Sequence, residues 1–109
     1  MRKGSGLPPH VTAAVGAICR GYDTRERVIR YGRRKGADIQ KLSLCLWLNG
    51  AIDEALELCP DEQTRAVVKQ ALCRGEGFDT VGMAYCGKNQ FYRRKRDVKR
   101  EIAKRLHLI

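Results

Sequence analysis

None of the five cysteines, at positions 19, 45, 59, 73 and 86, forms a Cys-x-x-Cys pair, and the two histidines, His10 and His107, lie far from any such pair. Structural zinc sites are usually built from close ligand pairs, so no metal and no cofactor is expected. The odd cysteine count and the missing secretory pattern point to free thiols in a reducing cytoplasm, each acting mainly as a small buried apolar group. Long apolar runs are also missing, and nothing approaches the ~18 residues that a membrane span needs. The start, "MRKGSGLPPHVTAAVGAICR", imitates a lipoprotein leader, but its apolar run is short, two prolines precede it, and Arg20 follows Cys19 at once.

Catalytic patterns are lacking too. No local motif joins Ser, His and Asp or Cys and His, and no glycine-rich loop is placed to hold a phosphate. An enzyme is therefore not expected. The acidic cluster Asp53, Glu54, Glu57, Asp61 and Glu62 reads as a solvated helix surface, because a cation site needs several oxygens converging on one point.

Negative charge is the scarcer sign: 22 Lys and Arg face 12 Asp and Glu, a net charge of +10. The excess is concentrated at the two ends. Residues 1–36 carry nine basic and two acidic side chains, residues 37–87 four and eight, and residues 88–109 again nine and two. Two basic ends flank an acidic middle, and clustered positive charge attracts polyanions, nucleic acid first among them. A membrane surface is the competing polyanion. The apolar residues that would face it are equally suited to a soluble core, and no membrane partner is expected.

With 109 residues, 43% of them apolar and only three prolines, the chain has the composition of one folded domain. A basic arm over 1–9 leads to N-terminal helices over 10–58. Val11, Val15, Ile18, Tyr22 and Ile29 recur at helical spacing, with Arg25 on the same stripe and a candidate interruption at "GYD". Asp38 caps a segment that is apolar nearly all round, which predicts a central buried helix with Trp47 in the core. "NG" at 49–50 marks a turn or a weak point in it. Pro60 suits the first position of the next helix, whose apolar face is Val67, Val68, Ala71 and Leu72 and which Gly75 and Gly77 stop. The expectation is an all-α fold, a small helical bundle of about five helices, in which residues 60–109 form the DNA-binding part.

That part ends in "FDTVGMAYCGKNQFYRRKRDVKREIAKRL", which reads as helix, glycine turn, helix. Two helices crossed around a tight turn, here at Gly87, make a C-terminal helix-turn-helix at about residues 78–106. If Phe91, Val98, Ile102 and Leu106 pack inward, helical geometry sends Asn89, Tyr92, Arg93, Arg96 and Arg100 outward. Lys95 falls on the apolar stripe, where its stem packs and its ammonium reaches out. Lys88, Asn89, Gln90, Tyr92, Arg93 and Arg96 are then the candidates for reading bases in the major groove. Arg can grip guanine and Asn or Gln adenine, each with two hydrogen bonds. Arg94, Lys99, Arg100 and Lys104 are the candidates for phosphate contacts.

The stretch "AIDEALELCPDEQTRAVVKQALCRGEGFDTVGMAYCGKNQFYRRKRDVKREIAKRLHL" resembles the C-terminal half of phage transcriptional regulators of the RinA and ArpU type. These are similar in turn to the DNA-binding region four of bacterial sigma factors. The features that carry the resemblance are the acidic helix "IDEALE", the helix start "PDEQTR", the glycine break, the aromatic pair in "QFYRRKR" and the closing "EIAKRLHL". "AVGAICRGYDTRERVIRYG" resembles the group's N-terminal helix. The resemblance implies regulation of phage or prophage genes, with contact to RNA polymerase, and matches Gln90, Tyr92 and Arg93 to the start of the recognition helix. One helix in one groove covers a short site, so a homodimer or a polymerase partner is also expected. The alternative is a small DNA-packaging or polymerase-interaction protein, terminase small subunit-like or architectural, without promoter specificity.

Overall fold

Two prolines set the start of the first helix. In the computed structural model, which describes residues 7–35, 38–75 and 88–109, Pro8 is the N-cap and Pro9 the first residue of α1, Pro9–Arg20. Proline loses nothing there, since the first helical N–H groups have no partner within the helix. Leu7 already packs against the core, so the basic arm ends sooner than residue 9. Val11, Val15 and Cys19, four residues apart, form the buried edge of α1.

The interruption at "GYD" falls at Gly21. There α1 gives way to α2, Tyr22–Lys35. The Arg25 side chain folds back over the junction, and its Nη2 donates to the Ile18 carbonyl at the end of α1. A Cβ on Gly21 would stand 2.6 Å from Arg25 Nη1, so the glycine makes room for the guanidinium. Arg25 on the apolar stripe thus caps the preceding helix.

Asp38 caps α3, Ile39–Ala55, by accepting from Gln40 N at 2.9 Å. The helix runs straight through "NG", where a turn or weak point was expected. Asn49 is buried inside it and joins α3 to α2: its Nδ2 donates to Tyr22 O at 3.1 Å and Glu26 Oε2 at 2.9 Å, and its Oδ1 accepts from Arg25 Nε at 2.6 Å. Every polar atom of this buried amide therefore has a partner, which keeps its burial from being costly.

A 3₁₀ turn over Leu56–Leu58 ends α3. Pro60 does not occupy the first position of the following helix. Asp61 is the N-cap of α4, Glu62–Arg74, and its Oδ1 accepts from Thr64 N at 2.7 Å. A carboxylate oxygen satisfies an orphan N–H more directly than proline can, and that bond holds the Asp61 carboxyl below its ordinary pKa. Gly75 closes α4 with φ 71°, a left-handed position that glycine takes without strain. Gly77 lies outside the described residues.

The last helix, α5, spans Lys88–Arg105 and packs against α1, α3 and α4. It ends in a Schellman motif: His107 adopts φ 60°, its N–H reaches Lys104 O at 3.1 Å, and Leu108 N reaches Ala103 O at 2.8 Å. Leu108 then packs on the core. One hydrophobic cluster draws on all five helices and contains Val15, Ile52, Val68, Phe91 and Ile102. The fold is a small all-α bundle, two helices thick along its 20 Å short axis. Among the described residues there is no strand, and no helix is long and apolar enough to cross a membrane.

One expectation is overturned. α3 is not a buried central helix, and Trp47 is not a core residue. Trp47 is 50% exposed, and Ile39 (77%), Leu44 (51%) and Leu46 (43%) are likewise open. Only Cys45, Asn49, Ala51, Ile52 and Ala55 are buried, with Leu42 and Leu48 partly so. Neighbouring helices cover one side of α3, and its remaining apolar residues have nothing to pack on.

Candidate nucleic-acid interface

α5 is 18 residues long, about 27 Å at the usual rise. Phe91, Val98, Ile102, Ala103 and Leu106 are buried on one side of it, and Phe91, Val98 and Ile102 have no exposed surface at all. Burying five apolar side chains on a single stripe fixes the helix's rotation. Everything on the opposite side is therefore held outward with little rotational freedom.

That outward side carries Asn89, Tyr92, Arg93, Arg96, Arg100, Lys104 and Arg105, all exposed, with Gln90, Arg94 and Lys99 half-buried at its margins. Lys88 opens the helix, and its side chain falls outside the described part. Tyr92 leans on its buried neighbour: the Phe91 and Tyr92 rings meet edge to face, with centroids 5.0 Å apart at 74°. An aromatic pair of this kind anchors the ring while its hydroxyl end points to solvent.

Lys95 sits on the inner stripe. Its Nζ lies 5.8 Å from the Phe91 ring centroid, and burial, with Lys99 as a second positive neighbour, lowers its pKa. The stem packs while the ammonium skirts the ring.

The two carboxylates of α5 are placed unevenly. Asp97 pairs with Arg94 at 3.7 Å, and Glu101 takes Lys104 at 3.9 Å and Arg105 Nε at 2.9 Å. Glu54 of α3 holds Arg105 from across the bundle. Among the described residues, Arg93, Arg96 and Lys99 form no ion pair. The helix therefore divides along its length. Its first half presents Asn89, Gln90, Tyr92, Arg93 and Arg96 with no acidic side chain before Asp97, and its second half is laced to acidic partners.

Of the phosphate candidates, Arg94 and Lys104 share their charge with carboxylates, while Lys99 does not. The Arg94 Nε is also buried without a hydrogen-bond partner, so this side chain is held close to the bundle. The first helix of the expected helix-turn-helix, about residues 78–86, and its turn at Gly87 lie outside the described residues, as does Cys86.

The remaining candidates resolve differently. Asp53 accepts from Tyr22 Oη at 2.7 Å and lies 3.8 Å from Lys69 Nζ, which also donates to Tyr22 Oη at 3.0 Å. This tie between α2, α3 and α4 raises the Tyr22 pKa, through burial first and the Asp53 hydrogen bond second. Sequence reasoning placed Tyr22 on the apolar stripe and missed its polar tip, for which Lys69 and Asp53 gave no local signal. Among the described residues no three metal-ligating side chains converge. Cys19, Cys45, Cys59 and Cys73 are free thiols, and burial pushes Cys19 up to about 12 and Cys73 to about 11. Such thiols are poor nucleophiles near neutral pH.

No family model, curated protein or solved structure matches this chain.

Proposed function

We propose that this chain is a DNA-binding transcriptional regulator, not an enzyme, and that the first half of α5 reads the major groove of double-stranded DNA. The observation that supports the reading is the combination on α5 of a fully buried apolar stripe and an opposite face whose Arg93 and Arg96 carry no counter-charge. Base recognition needs donors held in fixed directions, and a helix clamped on one side supplies them. Asn89, Gln90, Tyr92, Arg93 and Arg96, with Lys88 at the helix start, are the base-reading set. Lys99 and Arg100, helped by Arg94 and Lys104, grip phosphates. The resemblance to phage regulators adds the setting, control of phage or prophage genes in the cytoplasm with RNA polymerase as a partner.

Binding of the full chain to duplex DNA, followed by fluorescence anisotropy at several salt concentrations, tests this. Arg93→Ala or Arg96→Ala weakens binding to the preferred site by about 1–3 kcal/mol and relaxes sequence preference. Lys99→Ala weakens all duplexes alike and lowers the salt slope by about one unit. Equal affinity for every sequence, collapsing together as salt rises, would transfer the chain to the architectural or packaging class.

A further inference from the structure

The open side of α3 is not a random scatter of apolar residues. Ile39, Ser43, Leu46 and Gly50 follow one another at steps of four, three and four, the spacing of a helix seam that packs against another helix. Trp47 flanks the seam, half exposed, and Gln40 and Glu54 lie seven residues to either side of it on the same line. Large and small residues alternate, with Ile39 and Leu46 as ridges and Ser43 and Gly50 as hollows. A Cβ added at Gly50 would meet nothing within 4 Å, so its hollow is empty in the single chain.

We infer that this face is where two copies of the chain pair, α3 against α3 in antiparallel fashion across a two-fold axis near Leu46 and Trp47. The seam fits a second copy because its pattern is self-complementary: in the antiparallel register Ser43 of one copy faces Gly50 of the other, and the two Leu46 and Trp47 pairs meet at the centre. Charge points the same way. The half of α3 before Trp47 holds one charged residue, Lys41, and the half after it holds Asp53 and Glu54, so antiparallel pairing sets opposite signs side by side. The seam itself is free of charge, which matters in a chain of net charge +10 whose copies repel one another elsewhere.

A cleft lined by Leu46, Trp47, Gly50, Ala51, Glu54 and Arg105 continues the face to the end of α5. Arg105 lies about 25 Å along that helix from Lys88, so pairing through α3 leaves the first half of α5 open in both copies. The pairing does not depend on DNA, and its test leaves DNA out.

Sedimentation equilibrium of the full chain over a wide concentration range, with emission from its single tryptophan, Trp47, provides that test. The wild type forms a dimer as concentration rises, and Trp47 emission shifts to the blue with the same midpoint. Gly50→Ala keeps the dimer. Gly50→Arg stays monomeric and melts as cooperatively as the dilute wild type, because its side chain enters space that is empty in one chain. Three results would overturn the inference: a wild type that stays monomeric throughout, a Gly50→Arg variant that associates unchanged, or one that loses its helical fold, which would mean that this chain's own residues cover the face.

Discussion

α3 and α5 are nearly equal in length, 17 and 18 residues, and each buries one side in the same core, yet their free sides are opposites. That of α5 is polar and mainly basic. That of α3 carries Ile39, Leu46 and Trp47. In α5 apolar residues occur only where the bundle covers them, so its sequence separates cleanly into inside and outside. In α3 they occur all round, and the surplus marks a surface the single chain does not cover. Apolar content says what a helix can bury, whereas only periodicity says which side does so.

The comparison breaks most sharply under truncation. Phe91→Ala removes a fully buried ring from α5 and costs about 3–5 kcal/mol of stability by chemical denaturation. Ile39→Ser on the open side of α3, measured in dilute solution, changes stability by less than about 0.5 kcal/mol. Comparable losses in the two variants would show that the exposed side of α3 is covered.

A second variant sharpens the contrast between the inner faces. That of α5 is purely apolar, but that of α3 hangs on one amide. Asn49→Ala strands Arg25 Nε, Tyr22 O and Glu26 Oε2, and stability falls by about 1–3 kcal/mol in the same assay. A loss no greater than at an exposed site would deny the network its role.

Cys19 probes the core the two helices share. Its thiol is raised from 9.0 to about 12 by burial, so above pH 9 the unfolded chain releases a proton that the folded chain keeps. The stability that this group contributes is complete below pH 9 and is lost as pH rises toward 12. The expected decline is about 1 kcal/mol between pH 9 and 10, seen as a falling unfolding midpoint and reduced in Cys19→Ala. A pH-independent midpoint there would place this thiol in contact with water.

The sequence made the helical class, the break at Gly21 and the inner stripe of α5 legible, because each rests on local spacing: valines at four-residue steps, a glycine between two helical patterns, and charges that avoid one face. It misled where tertiary partners decide. "NG" reads as a turn until Arg25, Glu26 and the Tyr22 carbonyl arrive from another helix to satisfy Asn49. Trp47 reads as core because its neighbours are apolar, although nothing in the bundle reaches it. At the candidate interface, the outward directions of Asn89, Tyr92, Arg93, Arg96 and Arg100 were readable from Phe91, Val98, Ile102 and Leu106. The pairing of Arg105 with Glu54, 51 residues apart, was not.

The contrast between the two free faces comes down to whether the basic one reads sequence. Selection of binding sites from a pool of random duplexes, run with the full chain and with an Arg93→Ala, Arg96→Ala double variant, tests that most directly. Enrichment of one motif by the wild type and its loss in the double variant is the predicted result. An unenriched pool, or the same motif recovered at the same affinity by the variant, would contradict it.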